Sequence, residues 1–184
     1  MAVAQRPSLT LEQFLKLPET KPAREFHDGR ITEKPLPKGK HSILQLRCAT
    51  KLSLWAEPRR LGLAFPELRC TFAGRSIVPD VTYVAWDRIP REPSGAIADE
   101  FFLAPDLTVE ILSPKQKPSD LTAKLKSCVA NGCRMGLLIN PYAETVNVFR
   151  PDHPSETLAS GPVDLSPVIE GLALTVEEVF GWLK

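Results

Sequence analysis

The sequence lacks a long apolar run: no segment approaches the roughly 18 consecutive apolar residues that a membrane-spanning helix requires. Residues 1–7 also lack an apolar core of signal-peptide length. We therefore expect a cytoplasmic protein that does not enter a membrane. The length of 184 residues suits a single domain, residues 1–184, with a sizeable hydrophobic core.

Cysteine and histidine are scarce, and their spacing does not suit a zinc or redox site. The four cysteines form no C-x-x-C pair, and the three histidines form no H-x-x-x-H pattern. We expect the cysteines to be buried free thiols.

Neither positive nor negative residues are in large excess, because the net charge is only +1. The charges are nevertheless unevenly distributed. Residues 34–60, the basic segment, contain seven lysines and arginines and one acid, whereas residues 151–184 contain six acids and one lysine. Two interpretations stay open: a side of the protein that faces phosphates, or a solvated helix face followed by a charged loop.

The apolar pattern predicts an α/β (α+β) fold with a mixed central sheet flanked by helices. Helices are predicted at 10–17, 41–57, 118–131 and 175–182. Strands are predicted at 63–65, 68–72, 81–86, 107–112, 135–140 and 145–149, after a hairpin of 24–27 and 30–33 that turns at Asp28-Gly29. The strand at 107–112 is continuously apolar apart from Thr108 and Glu110, which indicates a central strand covered on both faces. Residues 150–168 are predicted to be loop-rich.

Two carboxylates occur in apolar surroundings on neighbouring predicted strands. Asp80 begins the strand 80–85, and Glu110 lies near the end of the strand 106–111. If these strands pair antiparallel, Asp80 lies opposite Glu110 or Ile111, with Cβ atoms about 5 Å apart. Such a pair can share a hard cation such as Mg²⁺, to which the Ile111 carbonyl could add an oxygen ligand. A metal would offset the cost of burying the acids; separate hydrogen-bonded acids are the alternative.

Two further charged residues need separate interpretations. Asp106 lies about 13 Å along the strand from Glu110, too far to share its metal, so we interpret it as a turn residue at the start of the strand. Lys124 follows Asp120 by four residues, so both share a helix face. Lys124 either forms a surface ion pair or turns toward the acids, where its cation could position the attacking water or help remove its proton.

Glu25 and His41 have less distinctive surroundings. Strand alternation puts Glu25 and His27 on one face, which could be a solvent-facing strand edge. His41 follows a basic loop near a predicted helix start, where it could begin the helix or contact phosphate.

Taken in order along the chain, these residues resemble the Uma-two family, a former domain of unknown function in the PD-(D/E)XK, restriction-endonuclease-like superfamily. The resemblance covers about residues 9–150. It rests on the segments at 25–29, 78–81, 104–107 and 109–114, on His41, on Asp120-x-x-x-Lys124, and on Asn131-Gly132 and Asn140-Pro141.

The resemblance implies a Mg²⁺- or Mn²⁺-dependent endonuclease that hydrolyses DNA phosphodiester bonds. Asp80 and Glu110 would hold the metal, and Glu25 would be an accessory acid. Lys124 would replace the superfamily lysine two positions after the second acid, where this chain has Leu112. Salt-sensitive contacts to the DNA backbone would come from Lys34, Lys38, Lys40, His41, Arg47 and Lys51.

Two departures from the family pattern keep a second function open. Cys128 stands where an aromatic residue is usual, and the strand after Gly132 lacks the usual acid, aromatics and final Asp. The alternative is a catalytically inactive module of the same fold that binds nucleic acid or protein. Cleavage of RNA or nucleotides would need the same acids and lysine. A homodimer would suit attack on two strands.

Overall fold

A computed structural model of the protein describes residues 9–27 and 29–184. Within these residues the helices are α1 (Leu11–Leu15), α2 (Gly39–Ala56), α3 (Pro118–Ala130) and α4 (Val176–Gly181). The strands are β1 (Arg24–His27), β2 (Arg30–Glu33), β3 (Gly62–Pro66), β4 (Cys70–Phe72), β5 (Arg75–Ile77), β6 (Val81–Ala85), β7 (Leu107–Ile111), β8 (Met135–Asn140), β9 (Thr145–Phe149) and β10 (Glu156–Leu158).

The strands form two sheets. The larger has the order β10-β9-β8-β7-β6-β3, and the smaller has the order β2-β1-β5-β4. Among the described strands, β7 and β8 are the one pair that runs parallel, and α3 makes the crossover between them, as a parallel pair requires. The predicted mixed sheet flanked by helices is confirmed, and a second, antiparallel sheet is added to it.

The side chains of β7 alternate between two packed layers, one on each face of the larger sheet. Leu107, Val109 and Ile111 join a core that includes Leu44 and Leu52 of α2. The residues between them in β7 point to the opposite face, because successive side chains of a strand alternate. All five residues of β7 are buried, so the predicted central strand with two covered faces is confirmed.

The opposite face of the larger sheet is covered by α3. Leu121 and Leu125 of this helix pack with Leu138 of β8 and with Phe149. Glu110 shares this side of the sheet by alternation, so its carboxylate faces the helix that carries Lys124.

The C-terminal segment belongs to the main core rather than to a separate appendage. Val163, Leu165 and Ile169 are buried in the same cluster as the α2 leucines, together with Val179 and Phe180. The predicted loop-rich region therefore contributes apolar contacts although it contains little regular structure.

The largest differences from the predicted elements are short strands. β5 and β10 contain three residues each, too few for an alternation pattern to be recognised. The first helix ends at Leu15, earlier than predicted. The turn predicted at Asp28-Gly29 includes residue 28, which lies outside the described residues; Gly29 has φ of 72°, the left-handed conformation that turn glycines adopt.

Two predictions made from composition can also be compared with the structure. All four cysteines are buried and free, as predicted. Over residues 9–27 and 29–184, no helix combines the length and the apolar character that a membrane crossing requires.

Leu44→Ala tests the core between α2 and the larger sheet. Leu44 is 0% exposed, so we expect its truncation to lower the free energy of unfolding by about 2–5 kcal/mol. Leu54→Ala on the same helix is the matched control, since Leu54 is 72% exposed and should change stability little. Urea unfolding followed by circular dichroism measures both, and equal effects would contradict this assignment of the core.

Candidate functional site

A cavity of about 540 Å³ lies where the smaller sheet, the start of α2 and the start of α3 come together. Its charged and ionisable lining includes Glu25, Lys34, His41, Asp80, Glu110 and Lys124. The predicted acids and the predicted lysine therefore line one space, although they are far apart in the sequence.

Strand register brings Asp80 and Glu110 together. Val81 of β6 pairs with Val109 of β7, and one further step of this antiparallel register sets Asp80 opposite Glu110. The Ile111 amide donates to Asp80 Oδ2 at 2.7 Å, which fixes the aspartate against the end of β7. Both acids are 2% exposed. The antiparallel pairing and the facing positions agree with the prediction.

Asp80 is surrounded by cationic and polar donors. Lys34 Nζ lies 2.6 Å from Oδ1 and also donates to the Val78 carbonyl at 2.8 Å. His41 Nε2 lies 3.0 Å from Oδ2. Burial acts to raise the pKa of Asp80, but the hydrogen bond from His41 and the charge of Lys34 outweigh it and hold that pKa well below its usual range. Asp80 is therefore ionised at neutral pH.

Lys124 joins the other two acids. Its Nζ lies 2.6 Å from Glu110 Oε1 and 2.7 Å from Glu25 Oε1. Glu25 Oε1 also accepts from the Val78 amide at 2.7 Å, so the smaller sheet and α3 are connected through one carboxylate. Lys124 is thus turned toward the buried acids and away from a surface pair with Asp120.

Burial and the ion pairs set the charge states of this group. Burial raises the pKa of Glu110 to about 7, with Lys124 opposing the shift. For Lys124, burial acts to lower the pKa, but Glu110 and Glu25 outweigh it and raise the pKa above its usual range. The two carboxylates therefore stabilise the cationic form of Lys124, which donates a hydrogen bond to Glu25 Oε1.

The donor set suits a hydrated, oxygen-bound cation. Within the described residues, no three His, Cys, Asp or Glu side chains are arranged to hold a metal. Mg²⁺ commonly uses only one or two carboxylates, with waters and phosphates in its remaining positions. Glu110 Oε1 is buried and has no aligned hydrogen-bond donor, its contact with Lys124 being an ion pair. Binding of Mg²⁺ or Mn²⁺ by Asp80 and Glu110, with the Ile111 carbonyl as a third ligand, stays a prediction.

Three of the residues predicted to contact DNA form ion pairs within the protein, and their contact with DNA stays a prediction. Lys34 and His41 are not free surface groups, because both are bonded to Asp80 inside the cavity. Lys51 pairs with Glu178 at 2.7 Å. The remaining members of the set, Lys38, Lys40 and Arg47, are exposed.

Two exposed lysines that were not predicted from the sequence also line the cavity. Lys115 and Lys117 lie in the loop between β7 and α3, a few residues after Glu110. Their position after an acid-bearing central strand was the available signal. They add positive charge at the mouth of the cavity, beside the buried acids.

Asp106 lies at the start of β7, away from Glu110, as its spacing from Glu110 in the sequence predicted. It is 0% exposed, and its Oδ2 accepts from the Ala85 amide at 2.8 Å. Arg88 Nη1 lies 2.6 Å from Oδ1. The Asp106 carbonyl accepts from the Met135 amide at 3.0 Å. This aspartate ties together β6, β7 and β8 at the end of the sheet remote from Glu110.

Comparison with known proteins identifies a similar solved structure. A crystal structure described as "a putative nuclease belonging to DUF820" from Anabaena variabilis ATCC 29413 is similar to this chain, with 43% sequence identity and a TM-score of 0.92. The similarity covers 96% of this chain and 99% of that chain. No protein with curated annotation matches.

The sequence model of the Uma2 family, described as "Putative restriction endonuclease", matches residues 11–177. This match includes every acid and lysine of the cavity and extends beyond the predicted limit near residue 150 into the C-terminal core segment. The chain therefore belongs to the Uma2 family, with the restriction-endonuclease-like fold that its sequence predicted.

Proposed function

We propose that this protein is a Mg²⁺- or Mn²⁺-dependent endonuclease that hydrolyses DNA phosphodiester bonds. The observation that carries the proposal is the buried pair of facing acids, Asp80 and Glu110, with Lys124 Nζ 2.6 Å from Glu110. The family description and the similar nuclease structure support the same class of activity.

Asp80 and Glu110 would bind the cation in the cavity. Bound Mg²⁺ would acidify water and offset negative charge on the scissile phosphate. Lys124, held as a cation by two carboxylates, would orient the attacking water and stabilise charge that develops on the phosphate. Glu25 would position Lys124.

The DNA backbone would approach through the open side of the cavity. Lys115 and Lys117 line this side, and Lys38 is exposed next to it at the start of α2. Lys34 would maintain the charge and orientation of Asp80 rather than serve as a peripheral phosphate contact. Such contacts predict binding that weakens with salt and depends little on sequence.

The experiment that tests the proposal compares substrates and metals with the wild-type protein. Supercoiled plasmid, single-stranded DNA and RNA are incubated with Mg²⁺, Mn²⁺ or EDTA. We expect the plasmid to be nicked with either metal and to stay intact with EDTA. Preferential cleavage of RNA would contradict the assignment of DNA as the substrate.

A nucleic-acid- or protein-binding module without turnover is the second candidate. The feature that favours it is β8, whose residues at 135–140 lack the acid and aromatic side chains that the family pattern leads one to expect. Calorimetric titration with Mn²⁺ separates the two candidates. A wild-type protein that binds no divalent cation and cleaves no nucleic acid would support the module and overturn the nuclease proposal.

Glu25→Gln tests the positioning of Lys124. The substitution removes the negative charge that holds Lys124 Nζ at 2.7 Å, while leaving an oxygen for the Val78 amide. We expect the nicking rate to fall by about 10²-fold with Mn²⁺ affinity retained. Glu92→Gln, at an exposed position outside the cavity, should change neither quantity. Unchanged nicking by Glu25→Gln would contradict the positioning role.

A further inference from the structure

A second cavity, of about 450 Å³, adjoins the acidic site. His27, Thr32, Asp120 and Lys124 line both cavities. The shared walls are the β1–β2 hairpin and α3, so the two spaces follow one another along the same helix. A polymer bound at the first cavity can therefore extend into the second.

The second cavity contains a buried guanidinium, that of Arg75. Arg75 of β5 is 8% exposed, and its Nη1 donates to Ser127 Oγ of α3. Its Nε is buried and has no hydrogen-bond partner. Over residues 9–27 and 29–184, no carboxylate forms an ion pair with Arg75. Arg75 Cζ also lies 5.8 Å from the centre of the Phe72 ring. Arginine is rarely buried unless its charge is paired, and the neutral contacts to Ser127 and Phe72 leave its charge available to an anion, which the described residues do not supply.

Arg75 contacts α3 about one helical turn from Lys124, which lines the first cavity. Its partner Ser127 follows Lys124 by three residues, a displacement of about 4.5 Å along the helix axis. Arg30 of β2 lines the same cavity and is exposed at its edge. The lining thus contains three cations, Arg30, Arg75 and Lys124, and one acid, Asp120.

We infer that Arg75, with Arg30, forms a second phosphate-binding subsite that holds a backbone phosphate adjacent to the scissile one. The planar guanidinium fork matches the oxygens of a phosphate, and burial strengthens such charge-assisted hydrogen bonds. The subsite rests on the proposed nuclease function, because nucleic acid is the phosphate polymer that would occupy both cavities. Arg75 is a substrate-binding residue in this account, and the hydrolytic chemistry stays with the first cavity.

The test measures binding of a fluorescent 20-base-pair DNA duplex by anisotropy over a series of salt concentrations, with Ca²⁺ replacing Mg²⁺. We expect Arg75→Gln to weaken binding about tenfold and to lower the salt slope by about one unit. Arg30→Gln, at an exposed position where folding is not at risk, should shift both quantities in the same direction. Arg91→Gln is the matched control, because Arg91 is exposed and lines neither cavity.

The salt slope, which is the change of DNA affinity with salt concentration, separates phosphate binding from a purely structural role. A structural role would change stability without changing the number of ions released on binding. If wild type binds DNA and both Arg75→Gln and Arg30→Gln behave like Arg91→Gln, the subsite is wrong while the nuclease proposal stands. If Arg75→Gln does not fold, Arg30→Gln against Arg91→Gln decides the question. A wild-type protein that neither binds nor cleaves DNA would overturn the nuclease proposal, and the subsite with it.

Discussion

Asp80→Asn and Glu110→Gln are each expected to lower plasmid nicking by about 10³-fold or more and to remove measurable Mn²⁺ binding. Each amide keeps the shape of the side chain but removes the negative charge that a hard cation requires. Loss of one such electrostatic contribution, worth about 4 kcal/mol in the transition state, corresponds to about 10³-fold in rate. Calorimetry with Mn²⁺ and gel assays of nicking measure the two effects.

Asp120→Asn is the matched control for these substitutions. Asp120 lines the same cavity and is exposed, and neither Lys124 nor another described cation forms an ion pair with it. Its variant should bind Mn²⁺ like the wild type. Equal loss of binding in all three variants would mean that general negative charge, and not the facing pair, attracts the cation.

Asp106→Ala is expected to lower the stability of the fold rather than Mn²⁺ binding. The substitution leaves the half-buried Ala85 amide without its acceptor and removes the charge-assisted bond from Arg88. We expect the free energy of unfolding to fall by about 3 kcal/mol. Asp99→Ala, at an exposed position, should cost little.

This pair of results separates the role of Asp106 from that of Asp80, since each of these aspartates follows a proline. Asp106→Ala should keep wild-type Mn²⁺ affinity under conditions where it is folded, because its carboxylate lies at the other end of β7 from Glu110. Urea unfolding and Mn²⁺ titration measure the two properties. Unchanged stability of Asp106→Ala, or loss of metal binding by the folded variant, would contradict the structural role.

The sequence was sufficient to predict the centre of the site because that centre depends on strand register. The apolar runs that contain Asp80 and Glu110 are long enough to be recognised as strands, and their spacing allows antiparallel pairing. The four-residue spacing of Asp120 and Lys124 indicated a shared helix face but not its direction. The buried acids resolve this ambiguity, because Lys124 is the cation that neutralises Glu110 and Glu25.

The surroundings of the site could not be predicted in the same way, since they depend on how the two sheets pack. Lys34 lies 46 residues before Asp80, and only the fold brings their side chains to 2.6 Å. Arg75 belongs to a three-residue strand whose pattern is too short to recognise. Its burial, with no acid of the described residues paired to it, is a property of tertiary structure and has no signature in the sequence.

The most direct test of the metal-dependent site is nicking of supercoiled plasmid by the wild type and by Asp80→Ala, Glu110→Ala and Lys124→Ala, all purified identically. We predict nicking by the wild type with Mg²⁺ or Mn²⁺ and loss of nicking in all three variants, with circular dichroism showing that each variant is folded. Equal nicking by the wild type and the variants would assign the activity to something other than this site and would contradict the account.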